Sequence, residues 1–314
     1  MIKNISLKSS ARFYKTISKL LIIIIITLIV YFSLFQYNIL YNSIFKALDI
    51  WLYKVFPSLF LFYLISTLLI STNTINYLLI IFKPLRVLLK FETVEAFNLF
   101  FISIFLGNPS TITFINEYYE NNIITYNDAE VLTSSSSFIN PLFVLALFDD
   151  KNIGLLVYLA HLMSNFLIAI YLTNKYSRYN ISSKSNINSK SSINSKSNIN
   201  SKSNINFFRQ MNNFTLIILN IAIYITISNI FITISRLIHI PIVFTFFIEV
   251  STGANLSLSN YLYLLPSILS FNGLCIHLQV KQFLKFTNYK NFFIFRIIAS
   301  IISFCLFNLI LFFL

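Results

Sequence analysis

Charge and cysteine are both scarce in this 314-residue sequence. Charged side chains make up 11% of the residues and hydrophobic ones 57%, so a water-soluble domain of this composition would lack polar surface. The two cysteines, Cys275 and Cys305, lie in apolar stretches and have no metal-ligand spacing, which excludes a disulfide framework. The composition therefore indicates a protein whose main solvent is the lipid bilayer.

Sequence signatures of enzymes are missing as well. The chain contains no HExxH, no GxSxG, no phosphate-binding glycine loop and no convincing pair of intramembrane aspartates. We therefore expect no enzyme activity, no catalytic residues, no cofactor and no metal site.

Long apolar runs are present, and they predict membrane-spanning helices. About 20 residues cross the hydrocarbon core as an α-helix, and several runs approach that length. They are apolar on every face, whereas β-barrel strands are shorter and alternate apolar with polar residues. We predict an all-α polytopic fold of about seven spans, with spans at residues 20–40, 50–69, 153–172, 214–234, 258–280 and 292–314.

The net charge is +13, and the basic residues cluster between apolar runs. This clustering predicts how the spans are oriented in the membrane rather than nucleic-acid binding. Five of the basic residues precede the first span with no acid among them, which predicts a cytoplasmic N-terminus. The first run is too long for a signal peptide and no cleavage site follows it, so we expect it to remain as an anchor. Continued alternation predicts that the C-terminus lies outside.

A basic, low-complexity segment divides the chain. Residues 174–213 contain seven basic residues and no acid, and a unit close to Asn-Ile-Asn-Ser-Lys-Ser repeats every six residues. Such polar units bury almost no apolar surface, so we predict a disordered cytoplasmic linker rather than a β-helix. The predicted organisation is a tail at 1–19, a first membrane half at 20–173, the linker at 174–213 and a second membrane half at 214–314.

Within the first half, two predicted helices are interrupted. One break contains Gly107, Asn108, Pro109 and Ser110, and the other contains Asn140 and Pro141. Backbone groups freed by a break cannot face lipid, so breaks at membrane depth mark cavities where a solute can bind.

A charged piece lies between the two breaks and supplies four of the chain's ten acids. Thr125 with Asp128, or Asn127 with Glu130, has the spacing of a capping box, which predicts a short helix there. The order of break, helix, turn, helix and break predicts a re-entrant hairpin.

The second half contains a similar pattern. Glu249 precedes a helix that is interrupted around Asn272 and Gly273, and His277 follows one turn later. An intramembrane carboxylate is a functional candidate by default, although Glu249 could also be an interfacial acid at a helix start. His161 and His277 could titrate or could simply bond a backbone carbonyl, whereas Arg236 and His239 lie at a span end where snorkelling is the simpler interpretation.

The predicted substrate-binding set combines these breaks. The four serines at 134–137 are not part of it, because close helix packing explains them better. The set consists of Gly107, Asn108, Pro109, Ser110, Asn140, Pro141, Glu249, Asn272, Gly273 and His277.

Six segments together resemble a known family. In chain order they are LDIWLYKVFPSLFLFYLISTLL from Leu48, LGNPSTITFINEYYENNIITYNDAEVL from Leu106, SSFINPLFVL from Ser136, HLMSN from His161, FIEVSTGA from Phe247 and SFNGLCIHLQV from Ser270. Their order and spacing resemble the sporulation integral membrane protein YlbJ family, whose members contain the nucleoside-recognition or "Gate" type of membrane domain. The chain departs from the family at Asn272, where a glycine is expected, and in its long linker, which looks like an insertion.

The resemblance implies a role in spore cortex formation, in the mother-cell or forespore membrane of a spore-forming Gram-positive bacterium. The Gate domain implies two Gate-like halves similar to parts of nucleoside transporters and ferrous-iron permeases, hence a transporter or gate for an unidentified small polar solute. Two alternatives stay open: a non-transporting scaffold that recruits cortex-building enzymes, and a flippase for a lipid-linked precursor. The expected partners are the lipid bilayer and the solute, with a homo-oligomer or other sporulation membrane proteins as further options.

Overall fold

The computed structural model describes residues 2–72, 74–148, 150–185, 207–257 and 261–313. All regular structure in these ranges is helical. The α-helices are α1 (Ile2–Phe35), α2 (Tyr37–Ile50), α3 (Phe56–Ser71), α4 (Ile75–Leu78), α5 (Lys83–Leu88), α6 (Val94–Leu106), α7 (Ser110–Glu120), α8 (Tyr126–Ser135), α9 (Pro141–Leu147), α10 (Lys151–Ser185), α11 (Phe207–Leu237), α12 (Ile242–Thr245), α13 (Val250–Ser257), α14 (Leu265–Phe271), α15 (Gly273–Phe283) and α16 (Tyr289–Phe313).

Five helical stretches of the described residues are long and apolar enough to cross a membrane. They are Tyr37–Ser71, Lys151–Ser177, Phe207–Leu237, Leu262–Phe283 and Tyr289–Phe313, and two shorter apolar helices, Ile22–Phe35 and Val94–Leu106, accompany them. The predicted all-α polytopic membrane fold with interrupted helices is confirmed. The direction in which each span crosses the bilayer stays a prediction.

The first long stretch contains an irregular turn in front of a proline. A π-helical turn, Trp51–Val55, joins α2 to α3, and Pro57 lies in the first turn of α3. Proline has no N–H for the carbonyl four residues earlier, so the helix must adjust there. The Ser58 hydroxyl bonds the carbonyls of Lys54 and Val55, at 3.1 and 3.0 Å, and so satisfies backbone groups in this turn.

The predicted hairpin between the two breaks is formed by α7 and α8. Thr125 caps α8, because its hydroxyl accepts a bond from the Asp128 N–H at 3.1 Å, which confirms the predicted helix start. The Asp128 carboxylate bonds elsewhere: it accepts from the N–H groups of Glu92 and Thr93, each at 2.9 Å. The carboxylate therefore fixes the start of α6 against the start of α8.

The other three acids of this piece bond residues that follow residues 186–206 in the chain. Glu117 accepts a bond from Gln210, Glu120 pairs with Lys285 at 2.8 Å, and Glu130 accepts from the Asn288 N–H at 2.9 Å. None of them faces lipid alone, as their cost in hydrocarbon requires.

One continuous apolar core joins residues on both sides of the linker, from Ala47 to Leu172 and from Phe214 to Phe307. Helix α16 packs on α10 and α14, and α2 packs on α11. Helix α10 continues to Ser185, past the boundary that we predicted at residue 173, and α11 begins at Phe207. Residues 186–206, which contain most of the predicted linker repeats, lie outside the described residues.

Candidate functional site

The first break separates α6 from α7. Gly107 ends α6 with φ +66° and ψ 171°, a backbone conformation that only glycine adopts without a large cost. The Asn108–Pro109 peptide bond is cis, and α7 begins at Ser110. The break predicted from these four residues is therefore present, and the backbone conformation at residue 107 explains why a glycine stands there.

The second break is an unwound segment, residues 136–140, between α8 and α9. Asn140 caps α9, since its Oδ1 accepts bonds from the N–H groups of Leu142 and Phe143 at 2.9 and 3.4 Å. Its amide nitrogen donates to the carbonyls of Ser58 and Phe105 at 3.1 and 3.4 Å. Asn140 thus satisfies the backbone of three elements at once.

The third break lies between α14 and α15. Asn272 adopts the left-handed conformation with φ +73°, which asparagine tolerates better than most residues, so it can stand where a glycine is expected. The first N–H groups of α15 donate to an irregular segment: Leu274 bonds the Phe247 carbonyl and Cys275 the Ile248 carbonyl, at 2.8 and 2.9 Å. The segment before Glu249 is therefore held at the N-terminus of α15.

The three breaks meet at Ser137, in the unwound segment. The side-chain amides of Asn108 and Asn272 both donate to the Ser137 hydroxyl. Asn272 also donates to the Ser137 carbonyl at 3.3 Å. Breaks from both predicted halves thus share one hydrogen-bonded residue, which the sequence interpretation had assigned to packing.

A buried cation supports this meeting point. Arg296 is 0% exposed, and its guanidinium donates to the Ser134 carbonyl at 2.6 Å and to Asn165 Oδ1 at 2.8 Å. A longer bond of 3.5 Å reaches the Ser137 carbonyl. Arg296 was not among the site residues predicted from the sequence. A fixed charge inside an apolar run was the available signal.

His161 holds the same segment from the other side. Its Nε2 accepts the Ile139 N–H at 3.1 Å, and its Nδ1 lies 2.9 Å from the Ser270 hydroxyl. The ring therefore connects the second break to α14.

Glu249 lies just before α13 and is 4% exposed. Its carboxylate accepts bonds from the N–H groups of Ser251 and Thr252, at 2.9 and 2.7 Å, and from the Ser251 hydroxyl at 2.5 Å. These donors belong to the start of α13, where the partial positive charge of a helix N-terminus favours an anion. These bonds explain how Glu249 can be buried.

A cavity of about 70 Å³ lies beside the breaks. Four residues of the predicted set line it: Gly107, Asn108, Asn140 and Glu249. The polar residues that line it but were not predicted are Ser58, Ser251, Cys275 and Gln279. A glutamine on an apolar span was the best available signal among these four.

The other predicted residues do not line the cavity. Asn272 acts through Ser137, whereas His277 bonds the Phe271 carbonyl at 2.9 Å and the Tyr289 hydroxyl at 3.2 Å. Pro109, Ser110, Pro141 and Gly273 shape the turns at the three breaks.

Comparison with known proteins gives one similarity. Over 130 residues the chain is 28% identical to a Bacillus subtilis (strain 168) protein described as sporulation integral membrane protein YlbJ. The match covers 40% of this chain and 32% of that protein, so it spans about a third of the relative's length. No family model matches the chain, and no solved structure matches it. The similarity supports the resemblance seen in the sequence and, with the apolar helices, an integral membrane protein.

Proposed function

We propose that this chain is a sporulation membrane protein, needed for spore cortex formation, that carries or gates a small polar solute. The proposal rests on one observation: three interrupted helices, from both sides of the linker, meet beside a cavity whose mainly apolar walls carry several polar groups. Interrupted helices near the bilayer midplane are how many transporters build a solute site. The sporulation role comes from the similarity to the YlbJ protein.

The cavity walls offer groups for a polar solute. Glu249 supplies a carboxylate, and Asn108 has a side-chain oxygen that is buried and without a partner among the described residues. Among the described residues, the Gln279 amide donates only to the Cys275 sulfur, at 3.2 Å, and sulfur is a weak acceptor. A solute can therefore bond these groups at little cost to the protein's own hydrogen bonds.

The size of the cavity limits what this conformation can hold. One water needs roughly 10–15 Å³ of such space, whereas pockets for drug-sized ligands measure about 300–1,000 Å³. A cavity of about 70 Å³ takes a few waters or a small ion. Passage of a nucleoside-sized solute requires the cavity to widen, as alternating access would do.

Two cavity variants test this proposal during sporulation of the host. Glu249→Gln removes the cavity's carboxylate charge, and Gln279→Leu removes a polar group that carries no strong structural bond. We expect both to reduce heat-resistant spores towards the level of a deletion strain, with normal amounts of protein in the membrane. Spore counts and immunoblots of membrane fractions measure the two quantities.

The matched control is Glu120→Gln, which removes a carboxylate from a partly exposed pair with Lys285. Such surface pairs contribute about 0–1 kcal/mol, so this variant should sporulate normally. Normal heat-resistant spores from both cavity variants would contradict the assignment of the site.

Deletion of residues 183–204 separates the transporter from a scaffold that recruits enzymes through the basic linker. Because the two sides of the linker share one core and several hydrogen bonds, we expect the deleted chain to assemble and to support sporulation. A sporulation defect with normal membrane abundance would favour the scaffold instead.

A further inference from the structure

A second, larger cavity lies in the groove between α2 and α11, and we call it the vestibule. It measures about 350 Å³, within the range of small-ligand pockets. Its polar side chains are Asn42, Ser43, Lys46, Asn229, Thr233 and Arg236, together with Thr252. The proposed solute site does not include it.

The vestibule is basic. Lys46 and Arg236 approach it from facing helices, and no acidic residue lines it. Among the described residues, Lys285 forms an ion pair with Glu120, and neither vestibule cation is paired with a carboxylate. Asp49, one turn further along α2, is exposed and does not line the cavity.

The donors in the vestibule are arranged for an oxyanion. Asn42 and Lys46 are four residues apart, so they share one face of α2. The hydroxyls of Ser43 and Thr233 lie 2.7 Å apart and bond each other, which leaves the Asn42 amide, the Lys46 ammonium and the Arg236 guanidinium as donors. A phosphate group accepts bonds from guanidinium and ammonium groups together.

The surroundings place the vestibule at the level of lipid headgroups. Tyr37, Tyr41 and Phe45 lie along α2, with rings in contact, and each is exposed. Exposed aromatic residues of this kind concentrate where the membrane meets water. Arg236 lies two residues past the end of the predicted span at 214–234, which indicates the same level.

From these observations we propose that the vestibule binds the phosphate of an anionic membrane lipid headgroup. The apolar lining residues Ile39, Ile232 and Leu237 supply contacts for the lipid's glycerol and upper acyl region. A free phosphate ion presents the same oxyanion, but it has no apolar part that could contact these residues or the aromatic residues nearby.

This site is separate from the inner cavity. The Thr252 hydroxyl donates to Asn229 Oδ1 at 3.0 Å, and both residues line the vestibule, while the N–H of Thr252 bonds Glu249 on the inner side. The two cavities have no lining residue in common. Lipid binding therefore does not depend on the proposed transport, and either can fail alone.

The single tryptophan of the chain provides a direct test. Trp51 directly follows the vestibule residue Ile50, so bromine on a bound lipid should quench its fluorescence. The full chain is reconstituted in phosphatidylcholine nanodiscs that contain either brominated phosphatidylglycerol or brominated phosphatidylcholine. We expect a preference for phosphatidylglycerol that falls about 30-fold in the double variant Lys46→Gln with Arg236→Gln, since each cation near the surface contributes about a factor of five.

The control is the double variant Lys83→Gln with Arg86→Gln, which removes two exposed charges from α5 and should keep the preference. If the vestibule double variant does not fold, the single variants Lys46→Gln and Arg236→Gln replace it in the test. We expect each to reduce the preference for phosphatidylglycerol about fivefold. Equal quenching by both brominated lipids in the wild type would overturn the proposal. Displacement of brominated phosphatidylglycerol by inorganic phosphate alone would also overturn it, because the ligand would then be a free ion.

Discussion

At the scale of single residues, Arg296 is a buried cation that bonds the end of α8 and the unwound segment after it. Its guanidinium reaches the Ser134 carbonyl, one of the last carbonyls of α8, where the partial negative charge of a helix end favours a cation. No carboxylate pairs with it among the described residues. The cation is therefore held by carbonyl and amide oxygens, which explains why it can remain buried in an apolar span.

We predict that Arg296→Lys lowers stability. An ammonium cannot reproduce the planar fork that spans Ser134 and Asn165, and each lost bond to a charged group costs about 1.5–3 kcal/mol. The thermal unfolding midpoint of the purified protein in detergent should therefore fall. Arg86→Lys, at an exposed position, is the control and should not change it. An unchanged midpoint for Arg296→Lys would show that these bonds contribute little.

At the scale of elements, the breaks were predictable because their causes are local. Glycine at 107 and prolines at 109 and 141 disfavour continuation of a helix through these positions, and Thr125 has the cap spacing that starts α8. Asn272 was noted as a departure from glycine, and its left-handed backbone gives the reason. The extent of α10 was not predictable, since its polar C-terminal end shows no apolar periodicity.

The element that carries Glu249 depends on close backbone packing at Gly253. A Cβ added there would lie 2.2 Å from the Phe246 carbonyl oxygen, far inside contact distance. Gly253→Ala should therefore displace the segment before Glu249 and reduce the amount of folded protein in the membrane.

The control for this prediction is Gly154→Ala, where the nearest atoms, at 3.0 Å and beyond, belong to the Phe148 side chain and not to backbone. We expect more folded protein in the membrane for Gly154→Ala than for Gly253→Ala. Size-exclusion profiles of the detergent-extracted proteins measure the folded fraction, and a normal profile for Gly253→Ala would contradict the described packing.

At the scale of the whole molecule, the two sides of the linker form one body around the breaks. Ser137 receives bonds from residues 108 and 272, and the acids of the α7–α8 hairpin bond residues 210, 285 and 288. The sequence predicted two regions with interrupted helices but could not predict that they meet. Contacts between residues that lie far apart in the chain depend on how the helices pack, and no local pattern encodes that packing.

The central claim is that a small polar solute passes by way of the cavity beside these breaks. The most direct measurement compares the small-molecule content of developing spores from a deletion strain carrying the wild-type gene, the Glu249→Gln variant or no copy. The account predicts that one polar solute is depleted in the strains with the variant and with no copy, and that the wild-type gene restores it. Identical solute content in all three strains, with the protein present in the membrane, would contradict the account.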